Sequence, residues 1–504
     1  MTLEFPGSTV ARLALIAFLA VLVQGYHLGV DDAEIYVPAI KRAADPNLYP
    51  FGSEFFMSHA HLSLFPELVG MPARLAHLPI DFVIFSWHAT CIFLLLLASW
   101  RLLSACFTSP AARWSGVALL AGTLSVPVAG TALVIMDPYL TARSLSAPAT
   151  MFATACYLAN RRKQAAAWLV LTVLVHPQMG VYGAAFMACL WLSDHWRDDY
   201  FRPDAGVASA LMFLAGLPFL FELRPAQGTA REALLSRTYF FVSNWTWYEW
   251  VGVFAPLVLA WWWSSVRLHG TTPVFRVLSR TLAPFGLLFT AAGLVLTSSP
   301  RLENFARLQP MRAFHVIYLI FFAMLGGLMG EYVLRRSTGR WLGVFVPLAG
   351  SMYLLQYSQF PSSAHVEWPG YRYHNAWNSA FFWIRQHTPK DAVFALDPNY
   401  MKIAEDDQHG FRAVAERSAL ADAVKDSGAV SLFPQLADDW KSQIESQNGW
   451  ERFGRRDFER LAKLYPVTWF LTRSPGPAGL ACPYQNEGLS VCQIDVRGRA
   501  GPAD

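Results

Sequence analysis

The sequence predicts a mostly α-helical, polytopic membrane protein with a long first outer loop and a small C-terminal α/β soluble domain. Three observations carry that reading. Hydrophobic residues make up 54% of the 504-residue chain and charged residues 15%, with a mean hydropathy of +0.29. That is too apolar for a soluble protein. The charges are segregated, leaving uncharged runs that reach the ~20 residues a bilayer crossing needs. Nineteen Trp and eighteen Tyr suit the aromatic belts at membrane interfaces. The net charge of +4 is spread over loops and gives no reason to expect nucleic acid as a partner. The first apolar run lacks a basic leader and a small-x-small cleavage site, so it reads as a retained span.

Taken in order, the expected spans cover residues 10–25, 82–105, 115–135 and 145–160. Residues 165–192 are too long for one span and are interrupted by His176-Pro177-Gln178, so they divide into two short helices at the proline. Spans at 207–223, 250–266, 282–296, 314–334 and 341–357 bring the count to about eleven. Basic residues test this count. Arg101 with Arg113, then Arg161, Arg162 and Lys163, Arg197 with Arg202, Arg267 with Arg276 and Arg280, and Arg335, Arg336 and Arg340 fall on alternate connections. The side collecting them is cytoplasmic by the positive-inside rule. The N-terminus is then inside. The segment after the first span, the turns at Asp137 and His176, the loops 225–247 and 300–312, and everything after 360 are outside.

The first outer loop, 26–81, is longer than a connection requires. Ile35, Val37, Ile40 and Ala43 recur at helical spacing over 32–44, predicting an amphipathic helix along the membrane surface. Asp45-Pro46-Asn47 ends it, and a second short helix follows at 65–70. After 360 the chain becomes charged and punctuated by Pro and Gly. Helices are expected at 377–387, 416–425 and 457–464, and strands at 392–396, 467–471 and 489–494. The domain division is therefore 1–360, transmembrane, and 361–504, an outer α/β domain. Cys91, Cys106, Cys156 and Cys189 sit in or beside apolar spans as small hydrophobes. Cys482 and Cys492 are the pair in the tail, and an oxidising outer compartment predicts a disulfide between them.

Asp31, Asp32 and Glu34 follow the first span directly. Acids near hydrocarbon are costly and read as functional, against the plainer alternative of a polar helix cap. Such carboxylates can act as a general base in a partly desolvated cleft or ligate a divalent ion on a phosphate. His59 and His61 in the same loop offer further ligands beside Asp32, although a His-x-His on a loop is more often plain polar surface. An anionic substrate needs cations at the outer ends of spans, where Arg143, Arg301, Arg307 and Arg312 fall. The Arg fork suits phosphate. The competing role is headgroup contact, and Arg143 is also placed to pair with Asp137. His176 before Pro177, and Glu249 among Trp245, Trp247 and Trp250, either touch substrate or hold a helix end. His88 and His315 lie inside spans and read as core residues.

A first span followed at once by Asp31-Asp32, a surface helix carrying Tyr36 and Arg42, and the stretch Pro46-Asn47-Leu48-Tyr49-Pro50 resembles the GT-C superfamily of membrane glycosyltransferases. The span count and outer C-terminal domain fit the same pattern, and residues 382–393 are similar to outer-domain segments of bacterial relatives. The resemblance implies transfer of a sugar from a polyprenyl-phosphate-linked donor to a periplasmic acceptor at the bacterial inner membrane. Asp31 or Asp32 would activate the acceptor, Glu34 and Tyr36 would contact substrate, and an outer Arg would hold the carrier phosphate. Some branches use a divalent metal, Mg or Mn, and others do not. The chain departs from the best-known branches: the tail has no Trp-Asp signature of oligosaccharyltransferases, and there is no inserted β-trefoil. Two other classes compete. A lipid or solute transporter or flippase is disfavoured by the lack of an internal repeat and by ionisable groups collected at one face. A non-catalytic assembly protein would keep the fold and use the tail for binding.

Overall fold

The computed structural model describes residues 7–195, 226–370 and 375–494. The expected span at 207–223, with Arg197 and Arg202, lies outside them. The protein is mostly helical, with one five-stranded sheet near the C-terminus among the described residues. Among the described residues, four helices are long and apolar enough to cross a membrane: Gly7–Gln24, Ile80–Cys106, Pro273–Leu296 and the run Glu303–Leu334. The last begins as 3-10 turns, continues as the α-helix Phe314–Met329 and closes on a π turn at Gly330–Leu334.

The expected span at 115–135 is not one helix. Pro110–Gly122 is helical for 13 residues, roughly 20 Å at the α-helical rise. The chain then doubles back, Val128 N–H donating to Leu133 O and Ile135 N–H to Val126 O. Pro127 and Gly130 interrupt the helix here, and Ala129 and Ala132 take left-handed backbone, which a continuing helix forbids. The break at His176-Pro177 is present. One helix, Arg162–Val175, stops there and another, Pro177–His195, starts on the proline, whose missing N–H is harmless in a first turn.

The chain forms two compact units. One contains the segments up to Val23, Cys91–Asp137 and Arg143–Met352; the other contains Gln24–Thr90, Pro138–Ala142 and Tyr353 onward. The segment 26–81 and the tail are thus parts of one unit, a grouping that a boundary at 360 does not describe.

In this second unit the loop supplies α1 (Ala33–Ala44), α2 (Glu54–Ala60) and α3 (Phe65–Leu75). α1 packs on α2 and α3, and eight of its 12 residues are buried, including Glu34 and Lys41. It is an internal helix and does not lie open along a lipid surface. Its polar positions are buried because ion partners reach them: Lys41 Nζ lies 2.9 Å from both Asp81 Oδ1 and Glu416 Oε1. The tail supplies α4 (Ala376–His387), β1 (Val393–Leu396), α5 (Phe411–Ala415), β2 (Ser418–Ala419), α6 (Lys425–Leu432), α7 (Ala437–Ser446) and α8 (Arg455–Leu464). It ends with β3 (Trp469–Arg473), β4 (Ala481–Gln485) and β5 (Leu489–Gln493). The expected helix at 416–425 is absent. Glu416 takes left-handed backbone (φ 55°) and stops α5, and the chain crosses the sheet as β2. Asp422 Oδ1 then accepts the N–H groups of Val424 and Lys425 and starts α6.

The strand order is β2-β1-β3-β5-β4, with β1 parallel to β2 and β3, and β5 antiparallel to β3 and β4. Alternation along β1 sends Phe394 and Leu396 to Trp377, Phe381 and Ile384 of α4. Val393 and Ala395 face Phe458 and Leu461 of α8 on the other side. Cys482 and Cys492 form a disulfide between β4 and β5. After β1 the chain goes to β2 on one side and to β3 on the other, leaving a crevice at the carboxyl ends of the parallel strands. A cavity of about 560 Å³ opens there, walled by Trp377, Trp450 and Phe453 and by Asp397 and Arg473 at the ends of β1 and β3.

Candidate functional site

The segment 26–31 is clamped by two pieces of the tail. Tyr26 N–H donates to His365 O, and Glu367 N–H donates back to Tyr26 O. Gly25 is required at the entry, because its φ is +78° and a Cβ there would sit 2.7 Å from His365 O. Further on, Gly410 N–H donates to Gly29 O and Asp31 N–H to Gln408 O. These bonds hold Asp31 in left-handed backbone (φ 51°), a strained conformation that surrounding structure must enforce.

The turn presents Asp31 and Asp32 outward, with side chains 41% and 33% exposed. Lys425 Nζ contacts both, lying 3.0 Å from Asp32 Oδ1. Glu34 does something else. It is buried, its Oε1 accepts Arg412 N–H at 3.0 Å and its Oε2 accepts Ala413 N–H at 2.8 Å. It therefore holds the first turn of α5, and a Cβ at Gly410 would run into it. Arg412 forks onto Asp426 at 3.0 and 2.7 Å, with Asp422 alongside. Burial pushes the Glu34 carboxyl up to about 8, against the pull of Arg412. With both oxygens engaged and no exposed edge, Glu34 is a fold-holding residue, which corrects its expected contact with substrate.

The remaining candidates divide by unit. In the second, the Tyr36 hydroxyl lies 3.1 Å from His59 Nε2, and His61 is exposed. Asp32, His59 and His61 do not come within reach of one ion, because His59 directs its Nε2 to Tyr36 and Asp32 is turned to Lys425. In the first unit, buried Arg143 pairs with Asp137 at 2.5 Å. Glu249 Oε2 accepts the Thr246 N–H and hydroxyl, closing a capping box. His176 is buried at the junction of its two helices. Arg301 is exposed. Arg307 donates to Asn304 Oδ1 at 2.7 Å, and Arg307 and Arg312 each bury an Nε without a hydrogen-bond partner.

A second constellation escaped the sequence reading altogether. His27, Glu367 and His409 converge in the second unit, all buried, their ligand atoms within 4.8 Å of one another. His409 Nδ1 lies 2.7 Å from the Asp406 carbonyl and its Nε2 lies 2.7 Å from Glu367 Oε1. Glu367 Oε2 accepts Leu28 N–H at 2.9 Å. His27 Nδ1 lies 3.5 Å from Glu367 Oε1, and its ring packs on Phe360 with centroids 4.2 Å apart. Only His27 lay in a stretch whose chemistry was conspicuous. No spacing rule connects three residues drawn from such distant parts of the chain. No protein-family model matches this chain, and no curated protein matches it.

Proposed function

We propose that this chain is a membrane glycosyltransferase of the GT-C type, moving a sugar from a polyprenyl-phosphate carrier to a periplasmic acceptor at the bacterial inner membrane. About eleven spans, a cytoplasmic N-terminus and a periplasmic tail belong to that reading. The observation that carries it is the Asp31-Asp32 pair: partly exposed carboxylates on an enforced backbone, seven residues after an apolar helix that ends at Gln24. In the reaction an acceptor oxygen attacks the anomeric carbon. The bond from that carbon to the carrier phosphate breaks, with its electron pair leaving on the phosphate oxygen. Asp31 or Asp32 takes the hydroxyl proton, and Lys425 holds the pair in place. Arg307 and Arg312, each with a buried Nε that has no hydrogen-bond partner, support a phosphate contact in the first unit.

Lys425 touching both carboxylates favours a second reading, a non-catalytic assembly protein in which the pair is a structural latch. One experiment separates them. The purified full chain in detergent is titrated with undecaprenyl phosphate, and then assayed for transfer from a panel of undecaprenyl-phosphate hexoses and pentoses. The transferase reading expects saturable binding, weakened about tenfold or more by R307A or R312A. It also expects D31N or D32N to cut turnover by about 10²–10⁴ with binding retained. Binding no stronger than that of an unrelated membrane protein sinks it.

A further inference from the structure

We propose that His27, Glu367 and His409 bind one zinc ion, which staples the first outer loop to the tail. The inference stands whether or not the chain transfers sugars.

Donors and acceptors at the three residues do not balance. The Asp406 carbonyl can only accept, so His409 Nδ1 carries a hydrogen and donates to it. In a neutral imidazole this leaves a lone pair on Nε2, and that lone pair points at Glu367 Oε1, another acceptor, 2.7 Å away. Two acceptors at that distance need a cation between them. A proton would satisfy His409 and Glu367 but would leave His27 with only the 3.5 Å approach of its Nδ1 to Glu367 Oε1. Both His27 ring nitrogens are buried without a hydrogen-bond partner, an arrangement that costs free energy unless something completes it. A metal ion answers all three residues together. The separations among the ligand atoms are spanned by an ion with bonds of about 2.0–2.2 Å after small side-chain adjustments.

The surroundings fit. A histidine ligand whose other ring nitrogen donates to a backbone carbonyl is the arrangement that fixes the tautomer for metal binding. Glu367 is held in turn by Leu28 N–H. Asp406, three residues before His409, also buries both carboxyl oxygens without a hydrogen-bond partner. Two imidazoles and a carboxylate with no thiolate suit zinc among common divalent ions, and three protein ligands leave the fourth position to a water. The placement has a consequence. His27 lies four residues before Asp31, and His409 follows Gln408, whose carbonyl holds the Asp31 N–H. The ion would lock the strained turn from beneath.

The test uses the full chain purified without chelator. Elemental analysis is expected to find about one zinc per chain, retained in H61A and reduced about tenfold or more in H27A and E367Q. A thermal melt in detergent reads the same site without depending on variants that fold poorly. Chelation should lower the midpoint, and one equivalent of Zn²⁺ should restore it in wild type but not in H27A. Zinc that persists in H27A would be surface-bound and would overturn the proposal. So would a zinc-free protein whose midpoint ignores added Zn²⁺.

Discussion

Two buried polar clusters join the segment 26–81 to the tail, and they are built on different terms. In one, Glu34 meets Arg412, Asp422 and Asp426. Both Glu34 oxygens accept backbone N–H groups, and both Asp426 oxygens accept from the Arg412 fork. In the other, His27, Glu367 and His409 converge with neither His27 nitrogen hydrogen-bonded, its Nδ1 lying 3.5 Å from Glu367 Oε1. The first is anchored by partners within the protein, with the Arg412 Nε and one Asp422 oxygen left over, whereas the second brings three ligand atoms together with no such anchor for His27. A buried polar group that is fully answered acts as structural glue, whereas one left open points to a ligand. Burial and charge alone do not separate these cases; the convergence of His27, Glu367 and His409 ligand atoms does.

The largest effect should follow from breaking the answered cluster. E34A leaves Arg412 and two helix N–H groups facing a cavity, and losing one partner of a buried ion network costs about 3–5 kcal/mol. E34Q should also be poorly tolerated, because it sets an NH₂ donor against one of two N–H donors. Expression level and thermal melts check both. The cluster has a pH signature as well. Three buried carboxyls share one guanidinium, and burial raises Glu34 from 4.5 to about 8 and Asp422 from 3.8 to about 7. The folded chain therefore binds more protons than the unfolded chain between those limits. Stability should fall as pH rises from about 4 toward 8, and E34A should flatten the upper part of that slope.

The open cluster should respond in the other direction. H27F replaces an unanswered imidazole with a ring of similar size against Phe360. In chelated protein it should change stability by about 1 kcal/mol or less, or raise it, since an unsatisfied buried polar group is being removed. In zinc-loaded protein the same change should lower the melting midpoint to the chelated level. Melts of wild type and H27F with and without chelator measure the difference. Equal destabilisation of H27F under both conditions would erase the distinction between the clusters.

What the sequence made legible was local. Asp31 and Asp32 stand out because they are adjacent and follow an apolar run, and the His176-Pro177 break is dictated by a missing N–H. Cys482 and Cys492 are the tail's only cysteines. What it hid was non-local. Glu34 looks like its acidic neighbours in the chain, but the left-handed turn at Asp31 and the start of α1 send it inward while they stay out. α1 reads as amphipathic because Glu34 and Lys41 look like solvent-facing positions. Their partners, Arg412, Asp81 and Glu416, come from other segments, so no local periodicity could show that they are buried. The same holds for His27, whose partners lie at the far end of the chain. The false span at 115–135 has a different cause. Its composition is apolar enough, and only Pro127 and the backbone at Ala129 and Ala132 turn it back.

The smallest effect should come from an ion pair that belongs to neither cluster and calibrates both. Asp45 Oδ2 meets Lys390 Nζ at 2.6 Å, with side chains 30% and 63% exposed. Solvent screening limits such a pair to less than about 1 kcal/mol. Lys390 holds the Asp45 carboxyl below its usual 3.8, so the contribution is present above that value and is lost as pH falls through the lower folded value. D45N should therefore cost little at neutral pH, should cost nothing in strong acid, and should weaken further with added salt. This is the opposite pH direction from the Glu34 cluster, where stability falls on the alkaline side. Melts of D45N and E34A across the same pH series would place the two effects on one axis. A D45N loss as large as that of E34A would mean that exposure is a poor guide to which ion pairs hold this unit together.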